Sequence, residues 1–241
     1  MTVKTFHTSR FFIKNQCYLI HENNTGILID PAWNYKLINR YLQDNQITLA
    51  GILLTHSHID HSHLAEKFAR QYRVPVFLSG IETDHFQFDC INLQRVLHMQ
   101  EISLAGFNIT PILTPGHTPG SVCYLIDQHL FSGDSIFIEG VGICAGKDIY
   151  KLYNTIQFMK QYLHKDTLFW PGHSFTEQPG KDMDFLLRHN IYFQLKSKEH
   201  FLNFRMKTNG SPLKIWWYDI TYGIITFLTT GKFPHAGLFK S

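Results

Sequence analysis

The chain reads Gly51-Ile52-Leu53-Leu54-Thr55-His56-Ser57-His58-Ile59-Asp60-His61 where a short apolar run gives way to a cluster of histidines. Three imidazoles and one carboxylate fall between positions 56 and 61, at the predicted end of a buried strand and in the turn after it. Imidazole and carboxylate together form a ligand set that suits Zn²⁺ and related first-row metals. The stretch therefore predicts a metal site at the edge of a sheet.

Three more candidate ligands stand in the same kind of position. His117, Asp134 and His173 each follow an apolar run and sit in a turn marked by glycine or proline. Glycine lets two backbone segments approach closely, and proline fixes a turn. Strands that end at one edge of a sandwich bring such residues to one cleft, so the sequence predicts a hydrolytic site with two metals.

The order of predicted elements decides the fold class. A hairpin is predicted from strands at 16–20 and 26–30 with a loop of four to five residues, and helical spacing follows over 37–42 and 64–72. Further strands are predicted at 52–54, 76–78, 101–104, 107–110, 122–126, 129–131 and 167–170, with a helix over 149–163. This alternation favours an α/β fold in which helices cover two stacked sheets, a four-layer αββα sandwich.

The chain is expected to divide into two parts. Residues 1–175 are assigned to the sandwich core, and 176–241 to a C-terminal extension that packs on it. Helices are predicted in the extension near 183–188 and 197–204. The apolar stretch 215–228 is too short for a membrane span, which needs roughly 20 apolar residues, so no span is predicted. It is interpreted as a packed strand or tail, or else as a dimer or membrane-surface contact.

Composition narrows the class of protein. The chain has 22 Lys and Arg against 19 Asp and Glu, a formal charge of +3, and no basic block, so nucleic acid is not a favoured partner. The cysteines show no C-x-x-C pairing and are predicted to be reduced, mostly buried thiols: Cys17, Cys90, Cys123 and Cys144. The first residues lack the apolar core of a signal peptide, and a cytoplasmic location is expected.

Four motifs in order carry a resemblance to a known family. They are His56-x-His58-x-Asp60-His61, Gly116-His117-Thr118-Pro119-Gly120-Ser121, Ser132-Gly133-Asp134-Ser135-Ile136-Phe137 and Pro171-Gly172-His173. This series resembles the metallo-β-lactamase-fold hydrolases and is most similar to the glyoxalase II (hydroxyacylglutathione hydrolase) branch. The resemblance covers roughly residues 15 to 175.

The resemblance implies two Zn²⁺ ions, with iron or manganese as alternatives. One metal would be held by His56, His58 and His117, and the other by Asp60, His61 and His173, with Asp134 bridging them. A hydroxide bridging the metals would attack a thioester carbonyl. Asp60 and Asp134 are also the predicted catalytic residues, because their charges partly offset those of the metals and keep the hydroxide nucleophilic.

The same resemblance assigns supporting roles to nearby residues. Asp30 is expected to accept a hydrogen bond from a ligand imidazole. Ser135 is expected to be a hydrogen-bonding residue rather than a nucleophile. His63 is not a ligand in the family pattern and is predicted to face solvent or the rim of the cleft.

One segment departs from the glyoxalase II pattern. That branch has Gly-Cys-Gly-Arg where this chain has Gly140-Val141-Gly142-Ile143, and an apolar side chain cannot pair with a carboxylate of glutathione. Residues 139–144 and the tail around 190–206 look like those of glyoxalase-II-like hydrolases of bacterial polyketide pathways. The substrate is therefore expected to be an acyl thioester on an acyl carrier protein, coenzyme A or glutathione.

The extension offers charges and aromatic rings of unassigned role. Its candidate cations are interpreted as plain surface charges: Lys181, Arg188, Lys196, Lys198 and Arg205. Its aromatic residues either line an acyl channel or pack the extension on the core: Tyr192, Phe193, Phe201 and Phe204. Alternative functions also remain open at this stage, namely a mononuclear-iron persulfide dioxygenase, a lactonase, and a metal-bound sensor or effector protein.

Overall fold

Two mixed sheets of six strands each form the centre of the molecule. The computed structural model describes residues 1–11, 13–144, 146–208 and 228–229. The first sheet contains β1 (Thr2–Arg10), β2 (Ile13–Glu22), β3 (Thr25–Ile29), β4 (Thr48–Leu53), β5 (Val76–Ser79) and β6 (Leu93–Val96), in that spatial order. Its first three strands run antiparallel, whereas β3 to β6 are parallel.

The second sheet repeats this mixture. It contains β7 (Ile102–Leu104), β8 (Phe107–Leu113), β9 (Val122–Ile126), β10 (His129–Gly133), β11 (Leu168–Pro171) and β12 (Lys181–Asp182), in consecutive spatial order. Only β10 and β11 are parallel. The helices are α1 (Tyr35–Asp44), α2 (Ile59–Ser62), α3 (Ala65–Tyr72), α4 (Gly80–Phe86), α5 (Ile149–Tyr162), α6 (Met183–His189), α7 (Ile191–Gln194) and α8 (Lys198–Thr208).

Side chains that point alternately to the two faces of each sheet form three separate apolar layers. In β2, Tyr18 and Ile20 face the second sheet, where they pack with residues such as Phe131. Cys17 and Leu19 face the other way, toward α1 and α3. Successive side chains of a strand point to opposite faces, so a strand buried on both faces reads as one apolar run. A third cluster lies between the second sheet and α5. The predicted four-layer αββα sandwich is confirmed.

The extension packs on the outer face of the second sheet. Its strand β12 pairs with β11. Phe193 and Phe201 are buried in one cluster with Leu152 and Ile156 of α5. Tyr192 is buried in the same cluster, so these rings pack the extension on the core. The apolar stretch predicted over 215–228 lies outside the described residues, apart from its last residue.

The loop length predicted for the first hairpin was wrong. Glu22 pairs with Thr25, so the turn consists of only Asn23 and Asn24. Their φ angles are 47° and 61°, the left-handed region that asparagine tolerates and that a two-residue hairpin turn requires.

Several elements escaped prediction. Strand β1 is an edge strand with few buried side chains, so its apolar signal is weak. Strand β6 and the short helices α4 and α7 were also missed.

All four cysteines are free and buried, as predicted. None of the described helices combines the length and the apolar composition that crossing a bilayer requires.

Candidate metal centre

Four loops at one edge of the sandwich bring the seven candidate ligands together. His56 follows β4, His58 caps α2, and Asp60 and His61 lie on α2. The turn after β8 carries His117, the residue after β10 is Asp134, and His173 follows β11. Because β4, β8, β10 and β11 all end at this edge, residues up to 117 positions apart, His56 and His173, belong to one cluster.

Close backbone packing makes this convergence possible. Gly172 lies against the imidazole of His61 and the carboxylate of Asp134, in space that a Cβ atom would occupy. Gly133 has a φ of 49° and lies against the side chain of Thr55. A larger residue at either position would push the loops apart.

Three histidines form the first group. The Nδ1 atom of His58 lies 3.0 Å from Nε2 of His56 and 3.2 Å from Nε2 of His117. All three residues are buried. Their three nitrogens lie within 4.8 Å of one another, close enough to share one metal ion.

A second group consists of Asp60, His61 and His173. Oδ2 of Asp60 lies 3.7 Å from Nε2 of His61 and 3.4 Å from Nε2 of His173. These ligand atoms also lie within 4.8 Å of one another. The side chain of His173 is 16% exposed, so this group borders the cleft.

Asp134 lies between the two groups. Its Oδ2 is 3.8 Å from Nε2 of His117 and 3.3 Å from Nε2 of His173. Its Oδ1 is 3.4 Å from Nε2 of His61. One carboxylate thus contacts members of both groups, as a bridging ligand must.

Oxygen atoms behind the imidazoles fix their orientation. Nδ1 of His117 donates to the carbonyl oxygen of Ile143 at 2.7 Å, and Nδ1 of His173 donates to that of Lys14 at 2.6 Å. Nδ1 of His61 donates to Oδ2 of Asp30 at 2.8 Å. A proton held on the outer nitrogen leaves the inner nitrogen with its lone pair directed at the centre.

Asp30 also orients His56 through Thr55. The Thr55 hydroxyl donates to Oδ2 of Asp30 at 2.6 Å, and the Thr55 backbone N–H donates to Oδ1 at 2.8 Å. Since the hydroxyl hydrogen is used in this way, the contact of 3.0 Å between Thr55 Oγ1 and His56 Nδ1 requires the imidazole to donate. The hydrogen bond predicted for Asp30 is therefore present, and one carboxylate serves two imidazoles.

The electrostatics differ between the two groups. Burial, with help from neighbouring imidazoles, lowers the pKa of His56 and of His58 well below the ordinary value. Burial also acts to lower the pKa of His61 and His173, but Asp134 and Asp60 reverse this effect. They raise the pKa of His61 well above its ordinary value and that of His173 to about 10.

The carboxylates respond in the opposite sense. Burial disfavours ionisation of Asp60, yet His61 and His173 lower its pKa to about 2. The pKa of Asp134 is held well below its ordinary value by His173 and His61, again against the effect of burial. Both carboxylates are therefore anionic at neutral pH.

These residues fit a pair of divalent cations. In the first group, an N–H at Nδ1 of His58 can donate a hydrogen bond to the nitrogen of only one neighbouring imidazole at a time. A metal ion can accept the lone pairs of all three nitrogens. In the second group, Nε2 of His61 and Oδ1 of Asp134 lie buried 3.4 Å apart without the geometry of a hydrogen bond. Buried polar atoms need a partner, and zinc accepts nitrogen and oxygen ligands of this kind.

Two neighbouring residues are not part of the cluster. The hydroxyl of Ser135 lies 2.8 Å from that of Thr114, which agrees with a hydrogen-bonding role. His63 is half-buried against Trp33, with ring centroids 5.1 Å apart, and it belongs to neither candidate metal group. Its place at the cleft rim stays a prediction. Burial, with Arg10 and Lys67 nearby, lowers its pKa to about 4.

A cleft of about 350 Å³ opens beside His117, Asp134 and His173. Its other walls are mainly apolar and come from Ile13, Phe137, Ile143 and Phe175, with Lys14 beside them. Phe175 is 70% exposed and Ile143 is 38% exposed. Exposed apolar side chains around a metal cluster indicate a surface that binds an apolar group.

Arg205 was predicted to be a plain surface charge, and this was wrong. It lies on α8 and is only 6% exposed. Its guanidinium donates to the carbonyl oxygen of Gly142 at 2.7 Å and to the hydroxyl of Tyr192 at 3.0 Å. The extension thereby supports the loop whose next carbonyl, that of Ile143, orients His117. No local pattern signals this contact, because 63 positions separate Arg205 from Gly142.

Similar proteins identify the family. Residues 12–173 match the Metallo-beta-lactamase superfamily. The probable polyketide biosynthesis zinc-dependent hydrolase BaeB of Bacillus velezensis is 42% identical over 215 residues, which cover 88% of this chain and 94% of that protein. A hydroxyacylglutathione hydrolase of Halorhodospira halophila is 33% identical over 63% of this chain and 57% of that protein.

The fold also matches solved structures. A metallo-beta-lactamase from Staphylococcus aureus superposes with a TM-score of 0.78 over 88% of this chain and 68% of that chain, at 22% identity. The sequence match and the shared fold agree with the clustered imidazoles and carboxylates, which suit a dinuclear zinc centre. The chain is a metal-dependent hydrolase that belongs to the metallo-beta-lactamase superfamily.

Proposed function

We propose that this protein hydrolyses acyl thioesters. The observation that carries the proposal is the position of Ile143, which lines the cleft next to the candidate ligands His117 and His173. At this position the glyoxalase II branch has an arginine. The cleft thus keeps the hydrolytic residues of that branch but offers an apolar wall to the substrate.

Each of the two groups of side chains is proposed to bind one metal ion. His56, His58 and His117 would hold one metal, Asp60, His61 and His173 would hold the other, and Asp134 would contribute to both sites. When bound, the two metals supply a hydroxide nucleophile near neutral pH and polarise the carbonyl of the substrate. Asp60 and Asp134 add two negative charges, which limit the net positive charge of the centre.

Other residues of the chain position the reactants. The carbonyls of Lys14 and Ile143, together with Asp30, hold the imidazoles in one orientation. Phe137 and Phe175 cover one side of the cleft and would exclude water from an acyl chain. A thiolate is a stable leaving group near neutral pH and needs little protonation, so this reaction does not require a separate general acid.

The thiol carrier is proposed by similarity. BaeB of Bacillus velezensis is named for polyketide biosynthesis, and this chain spans 94% of its length. In such pathways acyl groups are carried as thioesters on acyl carrier proteins. We propose that this protein removes acyl groups from a carrier protein, with coenzyme A and glutathione thioesters as poorer substrates.

The test measures release of thiol from one acyl group on three carriers, namely glutathione, coenzyme A and a holo acyl carrier protein. We expect the highest kcat/KM with the carrier protein. A preference for glutathione would overturn the proposed carrier while leaving thioester hydrolysis intact. If the zinc-loaded protein released no thiol from any of the three, the proposed reaction would be wrong. Oxygen uptake with a persulfide would then indicate a dioxygenase.

A variant of the same loop sharpens this test. Ile143→Arg places a cation in the wall of the cleft but keeps the backbone carbonyl that orients His117. We expect the ratio of activity on glutathione thioesters to activity on coenzyme A thioesters to rise about tenfold, the effect of one new charge-assisted hydrogen bond. An unchanged ratio would mean that this side chain does not contact the carrier.

A further inference from the structure

Glu82 is a fully buried carboxylate outside the proposed ligand set. It lies in the first turn of α4, between β5 and β6, and is 0% exposed. No motif of the sequence singles it out. Burial of a carboxylate is costly unless hydrogen bonds compensate it.

Four donors compensate this carboxylate, and all of them come from two ligand loops. Oε1 accepts from the backbone N–H of Ser57 at 3.0 Å and from the Ser57 hydroxyl at 2.9 Å. Oε2 accepts from the Thr118 hydroxyl at 2.7 Å and from the backbone N–H of Gly120 at 3.1 Å. The helix thus holds the His56–His58 loop of one sheet against the His117–Gly120 loop of the other.

The loops are also packed tightly at this point. Gly120 lies so close to the backbone of Glu82 that a Cβ atom there would collide with it. Ser57 stands between His56 and His58, and Thr118 directly follows His117. The segments joined by Glu82 therefore carry the ligands of the three-histidine group, whereas those of the second group lie on α2 and after β11.

We infer that Glu82 is a positioning residue that sets the spacing of the three-histidine metal site. The inference rests on the ligand assignment proposed above. A backbone N–H can only donate, and each oxygen of Glu82 faces one. The amide of a glutamine side chain has one acceptor group, the oxygen, and one donor group, the NH₂. In either orientation of the amide in Glu82→Gln, the NH₂ faces a backbone N–H, of Ser57 or of Gly120, and two donors then face each other. Only a carboxylate satisfies both loops.

The test compares stepwise zinc affinities of the apoprotein, measured by competition with a chromophoric chelator. His117→Ala and His173→Ala first identify which affinity step belongs to which group. We expect Glu82→Gln to weaken the step lost in His117→Ala by about 10–100-fold and to leave the other step unchanged. Thr118→Val, which removes one donor to Oε2, should weaken the same step to a smaller degree.

A control separates positioning from general stability. Ser79 caps α4 by accepting from the backbone N–H of Glu82, so Ser79→Ala loosens the helix without removing any contact of the carboxylate. It should lower Tm and change neither affinity.

Three results would overturn the inference while leaving the ligand assignment intact. The first is an unchanged pair of affinities in Glu82→Gln. The second is a parallel loss of both steps that follows the loss of Tm. The third concerns the case in which Glu82→Gln does not fold. Thr118→Val is then the deciding variant, and two unchanged zinc affinities in it would overturn the inference. If His117→Ala and His173→Ala fail to remove separate steps, the ligand assignment itself is wrong, and the inference fails with it.

Discussion

His56, His61, His117 and His173 each have a hydrogen-bond acceptor on the far side of the ring from the inner nitrogen. Asp30 serves His61 and, through Thr55, His56. Backbone carbonyls serve His117 and His173. Such outer contacts fix the orientation of each ring before a metal binds, which removes an orientational cost from binding.

Asp134 is the residue whose loss should affect both groups at once. Asp134→Ala removes the only side chain that contacts His61, His117 and His173 among the described residues. We expect zinc content to fall below one ion per chain and thioester hydrolysis to fall by more than about 100-fold, the upper range for loss of an outer partner. Metal analysis and kinetics on the same sample check this. Two bound zinc ions with full activity would contradict the assignment.

Metal binding should release protons in a predictable number. In the metal-free protein the pKa of His173 is about 10 and that of His61 is well above its ordinary value, so both imidazoles carry a proton near neutral pH. No proton is expected from four other side chains, because their pKa values are lowered and they are already deprotonated near neutral pH: Asp60, Asp134, His56 and His58. We expect about two protons from these imidazoles when zinc binds, plus any from bound water.

Calorimetry in buffers of different ionisation enthalpy measures this number. His173→Ala should release one proton fewer than the unmodified protein. Affinity should also fall as the pH drops, since protons compete for His61 and His173. Heats that do not depend on the buffer would contradict the protonation of these two imidazoles.

At the scale of elements, the sequence predicted the strands and the candidate ligands, which apolar runs and motifs mark. It missed the elements and residues whose roles depend on contacts between distant parts of the chain. Strands β4 and β9 were recognisable because burial on both faces makes each a run of mostly apolar residues. Strand β8 was recognisable because its buried apolar residues alternate with polar ones, and β10 and β11 because each contains a short apolar run. The candidate ligands were recognisable because they follow strands β4, β8, β10 and β11. Helix α4 has only two buried residues, Glu82 and Thr83, and both are polar. No apolar periodicity therefore marked it, and Glu82 could not be found in advance.

Helix α8 illustrates the same limit and gives a test. Arg205→Met keeps most of the length of the side chain but removes the hydrogen bonds to Gly142 and Tyr192. We expect the free energy of unfolding to fall by about 2–3 kcal/mol, because a charged donor is lost to two buried acceptors. Urea unfolding measures the change.

Arg188 is the matched control for Arg205. It lies in the same extension and pairs with Asp184 four residues earlier, but it is 62% exposed. Arg188→Met should change the free energy of unfolding by less than about 0.5 kcal/mol. Equal effects of the two substitutions would mean that Arg205 acts only as a surface charge.

At the scale of the whole molecule, the candidate metal centre lies where the ends of both sheets meet, and its candidate ligands come from both of them. The division into a core of 1–175 and an extension of 176–241 stays a prediction. The structure shows the contacts on which it depends. Phe193, Phe201 and Leu186 fill the cluster that covers α5 and the second sheet.

Removal of residues 176–241 tests this division. The truncated chain would expose Leu152, Ile156 and Met159, which are fully buried in the complete protein. We expect the chain of residues 1–175 to lose its cooperative thermal transition and to aggregate, because each such side chain loses about 1.5–3 kcal/mol of burial. Size-exclusion chromatography and circular dichroism check this. A monomer with a sharp transition would mean that the core folds without the extension.

The two carbonyls that orient His117 and His173 belong to Ile143 and Lys14, whose side chains line the cleft. The peptide oxygen of a residue survives any change of its side chain. Evolution, or a laboratory library randomised at positions 14 and 143, can therefore exchange the walls of the cleft while the imidazoles keep their orientation. In this protein, the side chains that face a substrate can therefore change without loss of the contacts that orient two candidate metal ligands.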